Sequence, residues 1–355
     1  MCHWTVRTSL LFLLTCRAAT WADTHVDPLF ASNELLEVRI SAPLTSIMRH
    51  RDSADELAGT LQYQETGGNE TVTLAVALRA RGHFRRRQSI CDFAPLRLNF
   101  KKSQTRGTLF DKQDKLKLVT HCKRSQIYKE SILREYLAYR AFNILTDVSL
   151  RVRLLKVNYV DTTRNNREFV NYAFLIEDEQ RFAKRIEMPA AEMHTVTVPE
   201  LRPEYTNLTA LFHYFLANYD FSYVNPEPDE FCCHNHILFG KEGAGYYPVP
   251  YDFDMSGFVD APHSGPPPRL KLYHSRARRY RGWCVNNEYL NASVELFTAN
   301  RNAIVQLVNA DDIQRIGARN SLLRFIDEFY EYIESPDMID TKLVRDCLPL
   351  PDREE

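Results

Sequence analysis

The spacing of apolar residues changes partway along this chain, and that change limits the folds open to it. Over residues 31–80 the period is two, the mark of strands with one covered face: Val72, Leu74, Val76 and Leu78 of "VTLAVALRARG" share one side, and "LLEVRI" reads the same way. "PLRLNF" and "KLKLV" continue the pattern, and "GGN" at 67–69 supplies turn chemistry. Near residue 130 the period becomes helical. In "YKESILREYLAYRAFNIL", Ile132, Leu133, Tyr136, Leu137, Tyr139 and Phe142 fall on one broad arc, with Glu135 inside it and Arg134 outside. A carboxylate that faces a core requires a partner.

Strands return in "RVRLLKVNYV" and "NYAFLIED", a hairpin across "DTTRNNRE". A one-faced helix follows in "TNLTALFHYFLANYD", then a short hairpin, "HILFG" and "YYPVPYDF", joined by "KEGAG". Two further helices are predicted over Val294 to Val308 and Ile313 to Ile333, the second capped by Asp311 or Asp312. The expected fold class is therefore α+β: a β-rich N-terminal lobe with one helix over 23–180, a mostly helical C-terminal lobe over 181–340, and a tail over 341–355.

A chain of 355 residues, 44% of them hydrophobic, has material for a large core. Its formal net charge of −1 argues against a dedicated nucleic-acid binder. At the N-terminus Arg7 precedes the apolar run Leu10 to Leu14 and the small residues Ala18, Ala19 and Ala22, the order of a secretory signal peptide over 1–22. No later stretch approaches the roughly 20 apolar residues of a membrane span. The expectation is an exported protein, periplasmic or secreted, without a transmembrane segment after cleavage.

Cysteine usage fits export. Cleavage leaves Cys91, Cys122, Cys232, Cys233, Cys284 and Cys347, an even set compatible with three disulfides. We expect Cys91 to bond Cys122, and the Cys232/Cys233 pair, Cys233 in particular, to bond Cys284. "CCHNH" at 232–236 also offers two Cys and two His to a zinc ion, although adjacent ligands wrap one ion poorly.

The chemistry concentrates in "PVPYDFDMSG" at 248–257, where Asp252 and Asp254 stand in an apolar strand end before a glycine. Paired carboxylates there suit Mg²⁺, which takes one or two carboxylates plus phosphate oxygens. Upstream lie Asn235 in "HNHILF" and Asp220 in "NYDFSYVN". An Asp after a helix, an Asn about fifteen residues on and an Asp on the next hairpin is the order in which phosphoryl-transfer sites of the kinase type supply base, second metal ligand and first metal ligand. Other uses stay open. The two aspartates are also compatible with a structural Ca²⁺ or with the arginines of the 276–281 run, and Asp220 with terminating its helix. The basic runs "HFRRRQ" and "SRARRYR" read as solvated faces or as a site for phosphate or an acidic polymer. Asn69, Asn207 and Asn291 stand in Asn-x-Ser/Thr sequons, which matter only in a eukaryotic secretory pathway.

Over residues 79–254 the segments "RGHFRRR", "ILREYLAYRAF", "FLIED", "NYDFSYVN", "HNHILF" and "PVPYDFD" together resemble the spore-coat protein H (CotH) kinase-like family, and more closely the exported bacterial proteins related to it. The resemblance implies an atypical protein-kinase-like fold that uses ATP and Mg²⁺. It makes Asp220 the catalytic residue, Asn235, Asp252 and Asp254 the metal ligands, and Lys117, Glu135 and Glu177 cofactor-binding residues, with Lys101 or Lys102 the alternatives to Lys117 as the nucleotide lysine. Two features depart from the family: "RRRQSICDFAP" replaces its lysine-rich segment, and no glycine-rich phosphate loop is present. The expected function is an exported atypical kinase-like phosphotransferase acting on a protein or cell-envelope substrate. The alternative is a catalytically degenerate kinase-fold binding module of the envelope.

Overall fold

The computed structural model describes residues 27–65, 70–226, 231–265 and 268–350. The signal-peptide segment, the "GGN" turn with Asn69, and the last five residues lie outside them.

Seven strands form the first half: β1 (Leu36–Ala42), β2 (Leu57–Gln64), β3 (Thr71–Ala80), β4 (Leu96–Phe100), β5 (Lys115–Thr120), β6 (Val152–Asp161) and β7 (Arg167–Ile176). Short helices α1 (Leu44–Arg49) and α2 (Lys102–Thr105) interrupt them, and the long α3 (Gln126–Leu145) lies between β5 and β6. The strand order is β1-β2-β3-β4-β5-β7-β6, and the sheet closes because β1 pairs in parallel with β6, from Leu36 opposite Leu155 to Ala42 opposite Asp161. The other pairings are antiparallel.

This closure overturns the expected α+β fold of atypical protein-kinase type, a β-rich lobe stacked on a helical lobe. A closed barrel has no sheet edge, and each of its strands divides its side chains between lumen and exterior. Ile40, Leu61, Leu78, Leu98, Leu118, Leu155, Val157 and Leu175 fill the lumen. Leu154, Phe174 and Ile176 of β6 and β7 point outward into a second core built on the helices.

The second half contains α4 (Glu179–Arg185), α5 (Pro203–Leu216), the hairpin β8 (His236–Lys241) and β9 (Gly245–Pro250), then α6 (Leu290–Ala299), α7 (Arg301–Asn309), α8 (Ile316–Ile333) and α9 (Pro336–Ile339). The helix expected over Val294 to Val308 is two helices. Asn300 breaks it, its amide side chain donating to the Leu296 carbonyl while its backbone N–H caps Leu296 and Phe297. Helix α8 begins at Ile316, not Ile313, because Asp311 accepts from the Ile313 N–H and the Gln314 amide in a turn ahead of it.

Helix α3 is buried on nearly every side, which its one-sided apolar arc does not anticipate. Arg134, outside the apolar arc, is nonetheless buried and donates to the carbonyls of Val259 and Ala318, and Glu130 holds Arg315 at 2.6 Å. Polar groups lie on this helix where the neighbouring segments offer partners, so α3 joins the barrel to the second core.

Cys91 is bonded to Cys122, Cys232 to Cys233, and Cys284 to Cys347. The expected link from the Cys232/Cys233 pair to Cys284 is therefore absent. The Trp283–Leu348 bridge brings Cys347 beside Cys284, whereas Cys233 packs with Tyr223 and Leu238. A zinc site at "CCHNH" is excluded as well, since both sulfurs are consumed in their mutual bond.

Candidate functional site

Between the barrel wall and the second half lies a cleft of about 750 Å³. Its basic wall comes from the barrel. Cross-strand register sets Arg79 of β3 opposite Arg97 of β4, and Arg97 opposite Lys117 of β5. Three cations thus stand in a row across three adjacent strands, with Arg81 just past the end of β3, and all four line the cleft. Like charges set directly opposite destabilise a sheet. Among the described residues only the ends of the row are paired, Arg79 with Glu56 at 3.8 Å and Lys117 with Glu179. The buried Arg97 Nε has no hydrogen-bond partner among the described residues.

Beyond β3, Gly82 takes a φ of +85° that turns the chain into "HFRRR". Arg85 from this segment is buried; it donates to the Thr120 carbonyl and reaches Glu135 at 3.5 Å and Asp254 at 3.7 Å. One guanidinium therefore serves two carboxylates.

The acidic wall comes from α3 and the loops around the β8–β9 hairpin. Glu135 and Tyr139, one turn apart on α3, both face the cleft. The Asp252 N–H donates to the Tyr139 hydroxyl at 2.8 Å, and Phe253, fully buried, packs edge-on against the same ring at 4.7 Å. These contacts answer why the acids sit among apolar residues: Phe253 anchors the segment, and the flanking carboxylates are presented on either side. Asp252 holds a φ of +59° and Asn235 one of +54°. Left-handed backbone is tolerated by Asp and Asn far better than by other side chains, and it recurs at functional positions.

Burial, reinforced by the charge of Asp254, pushes the Asp252 carboxyl up to about 7. Burial acts on Asp254 too, but hydrogen bonds from His263 and Asp252 and the charge of Arg85 outweigh it and hold that group below the ordinary carboxylate range. The pair shares a hydrogen bond, with Asp252 the more readily protonated member. Glu135 is raised well above the usual range by its burial, against the pull of Arg85.

Asp220 follows α5, whose C-cap Ala217 is left-handed. Its Oδ1 lies 2.9 Å from His234 Nε2, while Asn235 Nδ2 donates both to its Oδ2 at 3.0 Å and to its backbone carbonyl. A buried relay fixes this loop. The Asp220 N–H donates to Asn218 Oδ1, Asn218 Nδ2 to His213 Nδ1, His213 Nε2 to His236 Nε2, and His236 Nδ1 to the His234 carbonyl. Only neutral imidazoles satisfy that sequence, and burial depresses both rings, His236 to about 3. On the far side, the N–H groups of Gly257 and Phe258 bond the carbonyls of Ala217 and Leu216. A Cβ at Gly257 would meet the Ser275 carbonyl at 2.4 Å, so the close approach requires glycine.

Asp220, Asn235, Asp252, Asp254, Glu135 and Lys117 thus line one cleft. Glu177 does not. It is buried behind β7, where it accepts from Arg185 at 2.7 Å and from the Arg151 N–H, so the cofactor-binding role set for it is corrected to a structural one. The 276–281 arginines are not partners of the aspartates either: Arg278 stacks on Phe325 at 3.7 Å and pairs with Glu328, and Arg276 binds Ser321. Asn207, in one of the sequons, is buried against Tyr280, Asn286 and Ser293. The sequence reading missed Arg79, Arg81, Arg97 and His234. Their signal was the outward half of each alternating strand, where a charge at every second position passes for a solvated face.

The donor set fits Mg²⁺ with a phosphate ligand. Asp252, Asp254, Asn235 and Asp220 each bring a side-chain oxygen to the cleft, and Asp252 makes no ion pair among the described residues, whereas Glu135 and Asp254 share Arg85. Among the described residues no group of three or more His, Cys, Asp or Glu is arranged to hold a metal ion. Mg²⁺ commonly completes its shell with substrate phosphates, so an open, two-carboxylate site opposite a row of cations suits the metal together with its polyphosphate. No protein-family model matches the chain, and no curated protein matches it.

Proposed function

We propose that the cleft binds Mg²⁺ with a nucleoside triphosphate and transfers a phosphoryl group. The observation that carries this reading is the opposition, within one cleft, of the Arg79–Arg97–Lys117 row and the Asp252–Asp254 pair. Among the described residues Arg81 and Arg97 on one wall and Asp252 on the other make no ion pair, and a metal polyphosphate supplies charge to both. Asn235, Asp252 and Asp254 would hold the metal, which when bound neutralises charge on the phosphate oxygens. Arg79, Arg81, Arg97 and Lys117 bind and orient those oxygens. Asp220 takes the proton of an acceptor hydroxyl as the new O–P bond forms and the bond to the departing diphosphate breaks. His234 and Asn235 aim the Asp220 carboxylate, and the histidine relay beneath keeps the loop from moving.

Three disulfides, and the absence among the described residues of any helix long and apolar enough to cross a membrane, are compatible with an exported protein. We place this activity in the periplasm or outside the cell, on a protein or envelope acceptor. The test is incubation with γ-labelled ATP and Mg²⁺, following label into phosphate, protein or added envelope fractions. Turnover that needs Mg²⁺ and is lost in Asp220→Asn is expected. Mg²⁺-dependent binding without turnover would leave a binding module in its place.

A further inference from the structure

A second cavity, of about 560 Å³, opens at one end of the barrel, between the loop that leaves β6, the start of α1 and the segment after β5. Arg49, Lys123, Arg124, Arg164 and Arg167 line it, and none of the five makes an ion pair among the described residues. Two carboxylates share the lining. Asp161 is already saturated by the N–H and hydroxyl of Thr45 and the N–H of Thr163, and Asp92 stands in solvent. The other guanidinium there, that of Arg51, is buried and spent on the carbonyls of Met48, Arg86 and Cys91.

At the base of the cavity sits His121, 1% exposed, stacked on Phe93 at 4.8 Å with ring planes 9° apart. Neither of its ring nitrogens makes a hydrogen bond among the described residues, and Nδ1 is wholly buried. An unpartnered buried polar ring beneath five unpaired cations is costly in an empty protein, and a neutral imidazole can still donate one N–H. Arg124 lies over Phe169 at 4.5 Å, which holds its guanidinium at the rim.

We propose that this cavity is a second binding site, separate from the cleft, for an oligoanion bearing phosphate or sulfate groups, with one oxyanion seated on His121 and the remainder on the arginine rim. Tetrahedral oxyanions fit because each offers several acceptors to a set made only of donors. The cavity shares a wall with the cleft. Arg85, Arg86 and Arg87 face the cleft, Gln88 and Asp92 face this cavity, and the Cys91–Cys122 bond fastens the segment between them.

The test is calorimetric titration of tripolyphosphate, and in a parallel arm a sulfated disaccharide, into the full disulfide-bonded protein in EDTA. Arg97→Met serves as the background, so that the cleft contributes little. One saturable site is expected, with affinity at least tenfold weaker once His121→Phe is added. Phenylalanine keeps the stack on Phe93, so melting at or above the parent temperature is expected. Should that variant fail to fold, Arg124→Gln with Arg167→Gln, both at the exposed rim, should give the same loss. Preference for one arm identifies the ligand as phosphorylated or sulfated. Unchanged affinity in His121→Phe, or no saturable binding in the Arg97→Met background, would overturn the proposal.

Discussion

Replacing Asp252 by asparagine isolates the charge that the cleft leaves uncompensated. The folded carboxyl titrates at about 7 against an ordinary 3.8, driven by burial and then by Asp254. In the unfolded chain it ionises near 3.8, so the folded state loses stability as pH rises from there to about 7, and the loss then levels off. Roughly three pKa units at 1.36 kcal/mol each give about 4 kcal/mol as a ceiling. Asparagine tolerates the φ of +59° and can donate to Asp254, so it removes the charge without a backbone penalty. Chemical denaturation in EDTA should show the variant about 2 to 4 kcal/mol more stable than the parent at pH 8 and close to it at pH 4. With Mg²⁺ and ATP at 100 times the dissociation constant the parent should gain about 2.7 kcal/mol and the variant nothing. A variant less stable than the parent at pH 8 would refute the reasoning, because it would make Asp252 the structural partner of Arg81.

Other expectations follow from the same geometry. Arg97→Met should leave stability unchanged or raised, since it removes the middle of three like charges, and should weaken Mg²⁺-dependent ATP binding by about tenfold or more, read by calorimetry. Glu177→Ala should cost about 3 to 5 kcal/mol by removing the buried carboxylate that Arg185 and the Arg151 N–H bond, while ATP affinity measured on the folded fraction stays as in the parent. His121, His213 and His236 are depressed by burial, the first and last to about 3. The unfolded chain therefore takes up protons first on acidification: this stability is intact above pH 6.5 and falls below it, by up to about 1.4 kcal/mol per pH unit for each ring. Urea midpoints between pH 7 and 4.5 measure that slope, and His121→Phe should make it shallower.

The local elements were legible because each strand and helix carries its own period. Barrel closure was not, since it rests on parallel pairing between β1 and β6, more than a hundred residues apart, and "VRLLKVNYVD" is buried on both faces, so alternation does not reveal its partner. The carboxylate side of the site could be read because Asp220, Asn235, Asp252 and Asp254 stand in short ordered motifs. The cation row could not, because Arg79, Arg97 and Lys117 meet only through strand register. The split at Asn300 escaped for a related reason: Phe297, Ile304 and Val308 keep helical spacing across the break, and an asparagine capping its own preceding turn leaves no gap in the apolar pattern.

If the two walls of the cleft close on a metal polyphosphate, calorimetric titration of ATP into the parent protein, with Mg²⁺ and again in EDTA, reads that closure as metal-dependent binding. Asp252→Asn and Arg97→Met are titrated alongside. One site per chain is expected with Mg²⁺, abolished in Asp252→Asn and weakened in Arg97→Met, with protons released at pH 6.5 as the metal displaces the one that Asp252 carries. No saturable heat at millimolar ATP, or equal binding with and without Mg²⁺, would contradict it.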